Sequence, residues 1–583
     1  MKSTIKLLAL ILALVMLLTA CDLGGGNTET STEITTLNET VAESEKPTEK
    51  ESGTEGQTES NDEAEVETDA PLSDYRASIS RTREELESMI TLQDSDFDDV
   101  QAKLDAFEEI AVVSSDYEAV DSVYMEFEDA FYYLDTQISL SSIVYEMNRS
   151  NTEASERYLN GYDKFGDIYN DYMAVCRRAY NESPIRDQLF ADWSEEDIKQ
   201  LLSYDPVTQE LREENESLLV EYNELEGTDL ATKGGQIYAQ IVTNNNRIAQ
   251  LSGYENYYVY ATTEVYGRDY SLEDIEAFKS YIREYLLPEF ENLKKDFNSG
   301  MNALPKNDYY TLISFIENPF DSGINYVKNY VNSYDNSTGE GFRHLFENRN
   351  MVFASAKNSH NSAFQTYLED YEAPFCLFGV NGQSASTIVH EMGHYYASLH
   401  NSNINSYDLA ETQSQGNEFL FLKYVSGSMD EAIFEVLEDY NLYDVVAMSI
   451  ICAIIDDFEQ KVYSLESVEG YTIKDFNAIM DEVCKPYGGR SFISSKITSI
   501  NSYWQAVCPN SPVYYISYAT SSLAAVSLYA KAVEDEAGAR EAYRKLIEDI
   551  EEDDGFKDAL AKAGLLDPFK EETFIAINKI ITE

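Results

Sequence analysis

The chain has 583 residues, with 106 Asp and Glu against 42 Lys and Arg and a net charge of −64. That balance argues against a nucleic-acid binder, which needs basic patches to meet phosphates, and reads as a solvated acidic surface. Hydrophobic residues make up 43%, ample for a core, and the length suits two to four domains or one large helical body with a smaller partner.

The first twenty residues read as an address. Lys2 and Lys6 precede the apolar run 7–19, which is too short to span a bilayer comfortably. Leu18-Thr19-Ala20-Cys21 follows and resembles the lipobox of bacterial lipoproteins. The resemblance implies cleavage before Cys21, lipid on its thiol, and an extracytoplasmic chain anchored to the cell membrane. An ordinary secretory signal with a cysteine near its end is the simpler alternative. Residues 21–72 then carry the lipidated cysteine and a Ser-, Thr- and Glu-rich stretch whose only bases are Lys46 and Lys50. Such a segment buries too little apolar surface to offset its ordering entropy, so it is expected to be a disordered, self-repelling tether.

From residue 73 the pattern is mainly helical, divided into an N-terminal helical region (73–300) and a catalytic region (301–583). Runs 96–111 and 210–226 place apolar residues at three- and four-residue spacing. Breaks are predicted near Pro206, Gly234-Gly235, Pro288, Pro305, Pro319 and 379–382. Residues 374–380 (PFCLFGV) predict one short strand. Cys176, Cys376, Cys452, Cys484 and Cys508 form no CxxC pair and are expected to be mostly buried, unpaired thiols.

The chemistry concentrates at His390-Glu391-Met392-Gly393-His394, which holds two of only five histidines in the chain. A four-residue spacing is just over one helical turn, so both imidazoles share a face and can meet one Zn²⁺. Glu391 is then placed to take a proton from the water that the metal activates. Ser384 or Ser386 is placed to cap this helix.

Two residues compete as third ligand. His400 brings the stretch within one residue of the metzincin pattern, with Ala397 where that pattern has glycine. Alanine favours continuing the helix, which sets His400 roughly 80° from His390. Ser428-Met429 is a faint Met-turn candidate. Glu411 is the better placed: it precedes the apolar run Phe419–Leu422, where a carboxylate is costly unless paired or bound to a cation. Glu418 shares the helix face of Glu411, either as a partner orienting a ligand histidine or as a surface charge.

Several blocks together resemble the thimet oligopeptidase-like metallopeptidases, most closely the oligoendopeptidase F branch. They are Asn246–Tyr257 with Tyr266-Gly-Arg-Asp-Tyr270, Ser386–His394, Ala410-Glu411-Thr-Gln-Ser-Gln, Ser511–Thr520 and Ala559–Leu566. The resemblance implies a mostly α, two-lobed fold split by a deep channel with one zinc at its floor. It further implies that His390, His394 and Glu411 bind zinc, that Glu391 is the base, and that short unfolded peptides are the substrates. Tyr514, Tyr515 and Tyr518 become the candidates for a hydrogen bond to the oxyanion. One departure is plain: the family has a histidine shortly before the tyrosine run, whereas here Cys508 or a neighbour stands there and no histidine follows His400. A peptide-binding lipoprotein with a weak or inactive site, and a metzincin-like protease using His400, are the alternatives.

Overall fold

A computed structural model describes residues 70–202, 205–316, 320–400, 406–551 and 554–582. The signal segment, Cys21, most of the tether and the break near Pro319 lie outside the described residues.

Helices form where the apolar spacing demands them. Helix α1 (Asp94–Ala111) buries Phe97, Val100, Leu104, Phe107 and Ala111, which form a single stripe. It packs against α2 (Tyr117–Met147) and α3 (Thr152–Glu182). Asp116 caps α2 and Asn151 caps α3, each accepting a backbone N–H. Pro206 opens α4 (Pro206–Asn223) as its first residue, with Asp205 accepting the Thr208 N–H at 2.9 Å. That helix ends at Asn223, short of the predicted limit at 226.

The break expected at Gly234-Gly235 is a change of winding instead. A π turn over Leu230–Gly234 runs directly into α5 (Gly235–Leu251). A Cβ on Gly235 would lie 2.2 Å from the Ile473 nitrogen, so the glycine serves close backbone approach rather than chain reversal. Breaks do fall around Pro288 and Pro305, either side of α6 (Phe290–Ala303). This helix crosses position 300 and shares a core with residues on both sides.

The predicted strand is present, with two others. Strands β1 (Met351–Phe353), β2 (Ala363–Leu368) and β3 (Ala373–Phe378) form one sheet in the order β1-β3-β2. β1 runs parallel to β3 with Met351 opposite Cys376, and β2 runs antiparallel with Ala363 opposite Phe378. Every residue of β3 is buried, which is why its sequence is an unbroken apolar run.

Four helices carry the candidate site: α7 (Ala385–His400), α8 (Tyr407–Ser426), α9 (Glu431–Tyr463) and α10 (Ile516–Glu534). A large core gathers them with α5 and α6. A second core lies among α1, α2 and α3. A third, including Leu140, Ile143, Phe364, Phe375 and Leu377, joins α2 to the sheet that supports α7. The five described cysteines are buried and unpaired, as expected. Among the described residues no helix is long and apolar enough to cross a membrane.

Candidate metal centre

Ser384, of the two serines considered, caps α7 by accepting the Thr387 N–H at 3.1 Å. The helix then runs unbroken to His400. The His390 and His394 rings lie on one face, with centroids 4.9 Å apart. Helix α8, capped by Ser406, brings Glu411 to them. One donor atom from each of His390, His394 and Glu411 lies within 4.8 Å of the others. Glu411 Oε2 is 3.7 Å from His390 Nε2.

The close crossing of α7 and α8 has a specific cause. A Cβ on Gly393 would lie 2.6 Å from Ser414 Cα and 2.8 Å from the Gln413 carbonyl oxygen. Only glycine lets the two backbones meet here. Asn417 on α8 donates to the Val389 carbonyl at 2.7 Å, fixing the register of the two helices. Neither residue was singled out from the sequence. The Gly-x-x-x spacing around them carries no signal without knowing which helix crosses.

Glu418 lies on the same face as Glu411, and its Oε1 is 2.7 Å from His390 Nδ1. A carboxylate accepting the Nδ1–H orients the ring so that Nε2 faces Glu411. Off the face of His390 and His394, His400 Nε2 is 3.9 Å from Glu548 and its ring stands edge-on to Tyr396. Ala397 continues the helix, so His400 is carried away from the other two histidines. Ser428 and Met429 lie in the turn after α8.

The electrostatics are those of crowded, desolvated acids. Burial raises the Glu391 carboxyl; His390 opposes the rise, Glu411 and Glu418 add to it, and the result is about 7. Glu411 is raised by burial too, against His390. For His390, burial pulls downward, but the Glu418 hydrogen bond and the charges of Glu418, Glu411 and Glu391 bring it to about 9. Burial, then His390, holds His394 well below the usual range, so its imidazole is neutral. His394 Nε2 and Glu391 Oε2 are buried without a hydrogen-bond partner among the described residues. Three carboxylates around two imidazoles, with one ring nitrogen unsatisfied, are the donor set that a divalent cation completes.

The three candidate tyrosines cluster at the start of α10. Tyr514 lies edge-on to Tyr518 at 5.1 Å, and Tyr515 lies 5.5 Å from Tyr518. Tyr518 is 9% exposed, against 2% for Tyr514 and 1% for Tyr515. Gln415, one turn after Glu411, pairs with Ser521 and Ser522 on α10, which ties the tyrosine helix to the Glu411 helix. Just before the cluster, Val513 has φ 65°. For a β-branched residue this left-handed conformation costs about 1–3 kcal/mol. Cys508, near where the family has its histidine, is fully buried at the end of a helix.

Sequence reasoning also missed Asp408 and Arg268. Asp408 sits one turn before Glu411 and accepts bonds from Tyr270 (3.0 Å), Ser517 (3.3 Å) and Thr520. Arg268 is the middle residue of Tyr266-Gly-Arg-Asp-Tyr270, read at the sequence level only as part of a block.

No family model and no curated protein matches the chain. Solved structures do. A structure named for an oligoendopeptidase F from Bacillus anthracis str. Ames aligns over 83% of this chain and 94% of its own, with TM-score 0.62 at 17% identity. PZ peptidase A, solved with an inhibitor, aligns over 83% and 97%, with TM-score 0.61 at 18% identity. Oligoendopeptidase-F from Enterococcus faecium aligns over 84% and 98%, with TM-score 0.50 at 13% identity. The mostly helical fold expected from the resemblance is therefore the fold observed, shared with these oligoendopeptidases.

Proposed function

We propose that this chain is a zinc-dependent endopeptidase of the oligoendopeptidase F type, hydrolysing short unfolded peptides. The observation that carries the reading is the convergence of His390, His394 and Glu411, with donor atoms within 4.8 Å of one another, beside a buried Glu391. His390, His394 and Glu411 would hold the zinc, which when bound would supply an acidified water and polarise a carbonyl.

The chain's own residues supply the rest. Glu418, accepting from His390 Nδ1, orients the ring so that Nε2 would ligate once the metal displaces its proton. Glu391, buried between the two histidines in sequence, takes the proton of the attacking water and returns it to the leaving amine. A phenol from Tyr514, Tyr515 or Tyr518 donates to the oxyanion. The apolar segment before Cys21 supports a lipid anchor and an extracytoplasmic location, with the acidic stretch to residue 72 as tether.

A second reading is a peptide-binding lipoprotein, motivated by the absence of any histidine after His400. The separating experiment incubates the full chain with a mixed peptide pool and a folded protein, with and without a zinc chelator, read by mass spectrometry. The expected result is chelator-sensitive cleavage of short peptides only. Glu391→Gln is expected to retain zinc and lose about 10²–10⁴-fold in turnover. Wild-type turnover in that variant would sink the base assignment. Tight peptide binding without cleavage by the zinc-loaded wild type would favour the second reading.

A further inference from the structure

The backbone entering the tyrosine cluster is gripped from several directions. Tyr266 donates its hydroxyl to the Pro512 carbonyl at 2.7 Å. Glu459, from α9, accepts the Val513 N–H at 2.9 Å. Arg268 Nη2 donates to the Val513 carbonyl at 2.8 Å, the Tyr514 carbonyl at 3.3 Å and Ser517 Oγ at 2.9 Å. Its guanidinium lies 4.6 Å from the Tyr266 ring centroid. Arg268 Nε is 3.9 Å from Asp408 Oδ2, both side chains being buried. One cation thus bridges the Glu411 helix and the tyrosine segment.

Two features set this apart from an ordinary staple. Arg268 leaves Nε and Nη1 buried without a hydrogen bond among the described residues, a costly placement sustained by the Asp408 charge and the three Nη2 bonds. Val513, between Glu459 and Arg268, is held at φ 65°, where glycine or asparagine would sit without strain. Valine on its own favours negative φ, so the clamps work against its preference.

The geometry points to a positioning device: Tyr266, Arg268 and Glu459 hold residues 512–515 in one strained conformation and so set where the Tyr514, Tyr515 and Tyr518 phenols stand relative to Glu411. These are positioning residues; they act through the phenols and not on the substrate. Their catalytic meaning rests on the proposed peptidase activity.

The test uses the full chain with Tyr266→Phe, which deletes a single hydroxyl, and Arg268→Lys, which keeps the charge beside Asp408 but loses the fork. Three readouts are taken: bound zinc, kcat and KM on a cleaved peptide, and amide hydrogen exchange at 512–518. Zinc stays stoichiometric, KM changes less than about twofold, and kcat falls at least about tenfold, since misplacement of about 1 Å can cost 10²-fold. Exchange quickens at 512–518 and not at 388–396. Combined with Phe at the tyrosine that donates to the oxyanion, either variant adds little further loss. Unchanged kcat in both variants, loss that tracks zinc, or full additivity with all three Tyr→Phe changes overturns the proposal. A wild type that cleaves no peptide sinks the activity, while hydrogen exchange still decides the clamp: unchanged exchange at 512–518 in both variants refutes it.

Discussion

A single hydrogen bond, from His390 Nδ1 to Glu418, determines which nitrogen His390 turns toward Glu411. The sequence showed Glu418 on the right helical face but left open whether it was a partner or a surface charge, because that depends on where α7 lies. His400 makes the complementary point. Its spacing is one residue from a known ligand pattern, yet Ala397 keeps the helix going and Glu548 receives the ring. Glu411→Ala is therefore expected to weaken zinc binding by more than the about 10–100-fold typical of losing a partner behind a ligand. His400→Ala should leave affinity unchanged. Competition with a chelating dye measures both, and the reverse order would return the third-ligand role to His400.

Elements explain why His390, His394 and Glu411 meet. Helices α7 and α8 touch backbone to backbone at Gly393 and Ser414, so Glu411 reaches the histidines without a long detour. Gly393→Ala pushes Ser414 and Gln413 away. The expected cost is about 1–3 kcal/mol in stability, with weaker zinc binding because Glu411 moves with α8. Thermal unfolding and a zinc titration check the two together; normal values for both would mean the crossing is looser than the contact distances say. The helices were legible from apolar spacing, and β3 from its unbroken apolar run. β1 and β2 were not: β1 has three residues, and β2, though its burial alternates from Phe364 to Leu368, carries polar Thr366 on the buried face and Tyr367 on the other, so its polarity does not alternate. A sheet of this size is specified by its neighbours rather than by its own pattern.

Across the whole molecule, acids outnumber bases by 64, and the chain carries 44 tyrosines. The structure joins these facts. Phenols donate to carboxylates, some of which also share a cation: Tyr124 to Glu128 (2.9 Å), Tyr258 to Asp456 (2.9 Å) and Tyr487 to Asp457 (2.9 Å), the last two acids dividing Lys279 between them, and Tyr396 to Glu548 (2.6 Å), which also meets Arg544. A phenol offers a donor and an apolar ring at once, which suits a buried or half-buried acid. The remaining surface charge repels itself. Raising salt from about 0.02 M to about 0.2 M shortens the screening length roughly threefold and is expected to raise Tm by a few degrees. A flat or falling Tm would mean that self-repulsion does not limit stability.

The sequence by itself determined the helical class, the His390–Glu391–His394 face and the burial of the cysteines, since each follows from periodicity and local chemistry. It also ranked Glu411 above His400, because a carboxylate before an apolar helix calls for a cation. Only the tertiary structure decided that Glu418 orients His390, that Gly393 admits α8, and that Arg268 joins Asp408 to the strained backbone at Val513. Those are contacts between residues 20 to 246 positions apart. Short-range pattern carries no information about such pairs; the packing of the assembled helices supplies it.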